Sequence, residues 1–243
     1  MTDEITIAEL VRNKTLSAEM AGLLWAAVDE KVSFLTSALY RNAGKTTVSK
    51  AALSLLDERV PRHYVADSVE ITEKLLSLEK PGGYLIVEEF SPADVPGYIW
   101  GEKIQHVFNM LKKGYSLQAS LHAENAKDAI YQITNENGIS DEDASFIKLV
   151  LHIEMFGTSP SDAKRRVSEM FEVHYVENGE PVGHTLYVLN KNDDTFEKTD
   201  EPHEFARNKE ELKKRTEIIY DLANSGRTSP DDVAKAVGEF MGK

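Results

Sequence analysis

Short apolar runs alternate with amphipathic segments of about ten residues along the first 145 positions, and few folds accept that order. Residues 32–37 read as a short extended run, after which Gly44 opens a segment with Val48, Ala51, Ala52, Leu55 and Leu56 on one helical face. Residues 63–66 read as a second strand and 71–78 as a helix closed by Pro81-Gly82-Gly83. Residues 84–87 read as a continuous apolar strand of the kind buried on both faces. A helix over 102–113 turns Ile104, Val107, Phe108 and Leu111 inward and ends at Gly114; a strand at 117–121 and a helix over 126–134 follow. Upstream, residues 16–29 have helical spacing, with Ser17 as the cap. Strands alternating with helices build βαβ units, which imply a mainly parallel sheet covered by helices on both faces.

Beyond residue 146 the pattern changes. Residues 146–156, 166–176 and 185–190 read as extended, with a turn at Asn178-Gly179, and form an antiparallel extension. Residues 193–204 read as a polar loop and 210–224 as a helix. Ser229-Pro230-Asp231-Asp232 reads as the capped start of a last helix reaching Phe240. The expected fold is therefore α/β and three-layered, with a core over residues 1–206 and a C-terminal helical segment of the same domain over 207–243.

Composition removes several functions. The 243 residues contain no cysteine, which excludes disulfide scaffolds, thiol catalysis and thiolate metal centres. The net charge of −13 is uneven: 16 acids and 13 bases stand in residues 1–120, against 25 and 15 in residues 121–243. Bases scattered among acids do not make a nucleic-acid footprint, so no nucleic-acid partner is expected; Lys112-Lys113 and Arg165-Arg166 are doublets in an acidic chain. The start, MTDEITIAEL, is acidic and lacks a signal-peptide pattern, and no run approaches the roughly 18 to 20 apolar residues of a membrane span. The expectation is a cytoplasmic protein that is not integral to a membrane. His63, His106, His152, His174, His184 and His203 lack the close sequence spacing of a metal cluster, so no transition-metal site is expected. Trp25 and Trp100 read as packing residues, and the acidic runs at 141–143 and 193–204 as solvated surfaces.

In open parallel sheets, ligands sit beyond the carboxyl ends of the strands. Three elements fall there: the loop Asn42-Ala43-Gly44-Lys45-Thr46-Thr47, the pair Glu88-Glu89, and His122. In a phosphate-binding loop, backbone N–H groups wrap the phosphates, a lysine neutralises them and the following hydroxyl ligates Mg²⁺. Gly44, Lys45 and Thr46 match the last three positions of that motif; Leu39 stands where its first glycine would be, and a side chain there is expected to crowd the loop. Asn42 tolerates left-handed geometry and so can help the loop close. An apolar strand ending in acids, as Tyr84-Leu85-Ile86-Val87-Glu88-Glu89 does, is the form of element that holds Mg²⁺ or orients the attacking water.

The order of IAELVRNKTLSAEMAGLLWAAVDEKVSFLTSALYRNAGKTT, HYVADSVEI, YLIVEEF, GYSLQASLHAENAKDAI and RRVSEMFEV resembles the type II/type IV secretion and pilus/archaellum assembly ATPases, from about Ile5 to Phe240. The resemblance covers the C-terminal motor domain of that superfamily and implies a RecA-like P-loop NTPase fold with ATP and Mg²⁺ as ligands. It implies that Lys45 and Thr46 hold phosphates and Mg²⁺ and that Glu89 activates water as a catalytic carboxylate. His122 falls on the family's catalytic histidine box, and Asp67 and Glu70 on its acidic box, Asp67 toward the metal and Glu70 toward catalysis. Family members form hexameric rings that move a membrane platform, which implies a homo-oligomer peripheral to the inner face of a membrane. Ala66, Glu88 and Ser91 depart from the family pattern, as do Leu39 and Asn42 in the loop. The N-terminal domain that supplies arginines to the neighbouring site is outside the resemblance. Two functions follow: an ATPase that is slow without a partner, or a RecA-like scaffold without turnover.

Overall fold

The computed structural model describes residues 4–65, 74–78, 80–157 and 163–242. A short helix α1 (Ile7–Arg12), capped by Thr6, precedes α2 (Ala18–Asp29), whose cap Ser17 accepts from the Met20 N–H at 3.2 Å. Strand β1 (Ser33–Ser37) leads into α3 (Lys45–Leu53), then β2 (Arg62–Tyr64), β3 (Tyr84–Phe90) and the short β4 (Tyr98–Ile99). Helix α4 (Glu102–Leu111), β5 (Ser116–Leu121), α5 (Ala126–Tyr131) and the single turn α6 (Asp141–Ala144) follow. The chain continues through β6 (Ile147–Phe156), β7 (Lys164–Glu177), β8 (Glu180–Asn190) and β9 (Thr195–Lys198) to α7 (Lys209–Ser225) and α8 (Pro230–Phe240).

One sheet carries these strands in the order β2-β3-β5-β1-β6-β7-β8-β9, with β4 paired to β3. Pairing is parallel from β2 to β6 and antiparallel from β6 to β9. Every residue of β1 and β5 is buried, as helices on both faces require. Alternation along β1 sends Phe34 into one core, with α1, α2, α3, α7 and α8, and Leu35 into the other, with α4 and α5. This is the three-layer RecA-like α/β arrangement with an antiparallel extension and C-terminal helices. Among the described residues no helix is long and apolar enough to cross a membrane.

Tyr84 fixes the register at the start of β3. Its hydroxyl is buried and donates to the Val32 carbonyl at 2.7 Å, and desolvation pushes it far above the usual phenol range. Helices α2 and α7 touch backbone to backbone: a Cβ built on Gly22 would lie 2.5 Å from Thr216 Oγ1 and 2.9 Å from its N. Only glycine admits that approach, which justifies its helix-weakening presence in the middle of α2.

The expected polar loop at 193–204 is corrected by β9, whose Thr195–Lys198 pair with β8 at the sheet edge. Its polar, mostly exposed side chains disguise it, and they also protect an edge that would otherwise invite pairing. Of the helix expected at 71–78, residues 74–76 are helical and 71–73 lie outside the described residues. The segment expected as one helix over 126–134 is α5 followed by a π-helical turn, Gln132–Glu136.

Candidate functional site at the carboxyl ends of β1, β3 and β5

The connection leaving β1 runs through α3 on one face of the sheet, and that leaving β5 runs through α5 on the other. The loops therefore diverge at the end of β1 and open a crevice, the usual ligand position of an open α/β sheet. The cleft measures about 1060 Å³ and is lined by the 41–48 loop, Glu89, Tyr98, His122 and Arg165.

The loop closes by two left-handed residues. Asn42 takes φ 61° and Gly44 φ 103°, so asparagine supplies one positive-φ position and glycine the other. Gly44 caps α3 without a side-chain bond, and the first turn of the helix has no acid, which leaves its N-terminus suited to an anion. The Leu39 side chain is turned to solvent, 47 % exposed, and does not crowd the loop as its size had led one to expect. Behind the loop, Thr36 Oγ1 bonds both Ser49 Oγ and Ser120 Oγ at 2.9 Å, and Gln118 Nε2 donates to Ser49 Oγ at 2.9 Å. This buried chain of hydroxyls pins α3 to β1 and β5.

Lys45, Glu89 and His122 meet. Lys45 Nζ lies 3.2 Å from Glu89 Oε2, and His122 Nε2 lies 3.3 Å from Glu89 Oε1. Nζ also stands 3.3 Å from each His122 ring nitrogen. His122 Nδ1 faces the carbonyls of Ala38 and Leu39, both at 3.1 Å, and its own carbonyl accepts from Gln132 Nε2 at 2.7 Å. The strand end on β5 is thus clamped to the loop after β1. Desolvation pushes the Lys45 ammonium below the ordinary lysine range, and the Glu89 charge pulls it back.

Glu88 and Glu89 divide the work of the strand end. The register between β3 and β5 shifts between Val87 and Phe90, and this irregularity leaves Glu88 exposed while Glu89 is 7 % exposed and faces Lys45. Glu88 instead lines a second, smaller cavity with Thr46, Ser49, Gln118 and Ser120. Ala43 is buried; Thr46 and Thr47 line the main cleft. Asp67 and Glu70 lie outside the described residues.

Sequence reasoning missed Arg165 as a site residue. It stands at the start of β7, and its Nε donates to the Asn42 carbonyl at 2.9 Å, while its Cδ approaches the space where a Gly44 Cβ would be to 3.2 Å. Its neighbour Arg166, which also lines the cleft, makes a bidentate pair with Asp194, 2.7 Å from Nε to Oδ1 and 2.9 Å from Nη2 to Oδ2. Within the doublet, Arg165 braces the loop and Arg166 is held in an ion pair.

The strand order and the loop leading into the N-terminus of α3 are those of a RecA-like α/β fold, with Lys45, Glu89 and His122 gathered at its crevice. No protein-family model and no curated protein matches the sequence. Among solved structures, the X-ray structure of the Legionella pneumophila ATPase DotB is similar at a TM-score of 0.39 and 12 % identity, over 89 % of this chain and 55 % of that one. The chain thus spans about half the length of that protein.

Proposed function

We propose that the chain is a nucleotide-binding motor subunit that takes MgATP in the cleft at the end of β1. The observation that carries this reading is the convergence of Lys45, Glu89 and His122 from three adjacent strand ends onto the N-terminus of α3. A triphosphate in the cleft would replace the Glu89 carboxylate as the partner of Lys45. Glu89 would then be free to orient a water beside His122, and Thr46 would be the hydroxyl that holds Mg²⁺. Arg41 and Arg165 add positive charge at the mouth. By its motif order the subunit resembles secretion and pilus assembly ATPases, so the coupled movement is that of a ring of copies on a membrane platform.

A second reading, a scaffold without turnover, is favoured by one observation. Arg165 bonds across the loop to the Asn42 carbonyl and Lys45 is already paired, so the cleft is internally satisfied without ligand. Phosphate release separates the two. The motor reading expects magnesium-dependent release from the wild-type protein that Glu89→Gln abolishes while MgATP binding persists. Binding with no release from the wild type, at concentrations where the copies assemble, establishes the scaffold instead.

A further inference from the structure

On the antiparallel extension, Glu172 and His174 of β7, His184 of β8 and His203 after β9 converge, although 31 residues separate the outer two. Glu172 is fully buried, and β7 and β8 pair it directly with His184. The His203 backbone N–H donates to both carboxylate oxygens at 3.1 and 2.9 Å, and that of Glu204 donates to Oε1 at 2.8 Å. The Nε2 atoms of His174 and His184 lie 3.3 and 3.4 Å from Glu172 Oε2. The three imidazole rings pack with centroids 4.9, 5.5 and 4.6 Å apart. Taking one ligand atom from each residue, the four lie within 4.8 Å of one another.

We infer that Glu172, His174, His184 and His203 form a binding site for a divalent transition metal of zinc type, distinct from the nucleotide cleft. In a tetrahedral zinc site with bonds of about 2.0–2.1 Å, neighbouring donor atoms are separated by roughly 3.3 Å. The two Nε2–Oε2 distances already have that value, so the set closes by rotation of side chains. Its chemistry is also selective. Three neutral imidazoles and a carboxylate suit zinc, cobalt, nickel or copper, whereas magnesium and calcium prefer all-oxygen sets. A single dication placed among them would satisfy all four donors, which lie within 4.8 Å of one another. Two backbone N–H groups, of His203 and Glu204, bond to Glu172 and fix its orientation, as the partners of ligating carboxylates do in metal centres. The ion would replace the present bond of His184 Nε2 to the Glu201 carbonyl, 3.0 Å, and fasten the 199–206 segment to the sheet. At about 3.3 Å per strand residue, Glu172 stands roughly 23 Å along β7 from Arg165, so the site does not depend on the nucleotide reading.

The test uses tag-free full-length protein stripped with chelator and titrated with Zn²⁺, then with Co²⁺. The site requires one zinc ion per chain, a rise in melting temperature on binding, and the intense visible bands of tetrahedral cobalt. His203 is exposed, so His203→Ala leaves the fold intact and weakens binding by no less than the ~10–100-fold that loss of an outer-shell partner costs. His174→Ala/His203→Ala abolishes the cobalt bands. Zinc binding that is absent from the wild type, or equally tight in both variants, overturns the inference.

Discussion

Lys45 occupies a position that a lysine holds only with help. It is 7 % exposed, burial depresses its basicity, and Glu89 at 3.2 Å is the carboxylate that keeps its charge tolerable. Glu89→Ala leaves that ammonium buried beside His122 and Arg41 with no anion, and is expected to cost up to about 3 kcal/mol of stability. Saturating MgATP is expected to recover part of the loss, because phosphate takes the place of the carboxylate; thermal unfolding with and without nucleotide checks both. The pair Arg166–Asp194 gives a pH signature. Hydrogen bonding to the Arg166 guanidinium holds the Asp194 carboxyl down at about 2. Since the folded value lies below the ordinary 3.8, the pair's stabilisation is present above that value and fades as pH falls toward 2. Asp194 is about one-third exposed, so solvent screening limits the contribution to about 1 kcal/mol. Asp194→Asn is expected to flatten the acid limb of stability between about pH 4 and 2, measured by urea unfolding across that range. The meeting of Lys45, Glu89 and His122 was legible in the sequence because each stands at or beyond the carboxyl end of a strand, Glu89 within the last residues of β3, and parallel strands gather their ends. Arg165 and the histidine cluster were not. Arg165 reaches Asn42 across 123 residues from an antiparallel strand, and the histidines come from two strands and a loop whose register no local spacing encodes.

Elements followed the same division. The start of β3 was readable because burial on both faces there takes an unbroken apolar run, Tyr84-Leu85-Ile86-Val87, and the capped helices because Ser17 and Ser229 mark their starts. The edge strand β9 has the opposite requirement, exposure, and so it reads as loop. Helix α1 is short, and its signal is chiefly the Thr6 cap together with Ile7, Ala8 and Leu10 buried in the core. The contact of α2 with α7 offers a test that runs against propensity. Glycine to alanine inside a helix ordinarily stabilises by about 1 kcal/mol. At Gly22 the new methyl would meet Thr216 from 2.5 Å, so Gly22→Ala is expected to destabilise by about 1–3 kcal/mol through overpacking. Chemical denaturation of Gly22→Ala checks the sign, and a stabilised variant would show that the two helices can separate at no cost.

Across the whole molecule, charge and cleft are kept apart. The nearly neutral first 120 residues carry the loop and Glu89, with His122 just beyond them, whereas the acid excess lies in the part that builds β6–β9 and the C-terminal helices. Lys45, Arg41, Lys164 and Arg165 form a local basic cluster at the cleft within a strongly acidic protein, so in the proposed function an anionic nucleotide would meet its positive charge at this mouth. The central claim is that this mouth binds MgATP through Lys45. Isothermal titration of MgATP into the wild-type protein and into Lys45→Ala, both verified as folded by circular dichroism, tests it most directly. Saturable, magnesium-dependent binding at one site per chain and its loss in Lys45→Ala are the expected result; no binding to the wild type at millimolar MgATP, or the same affinity in both proteins, would rule out a nucleotide site at Lys45.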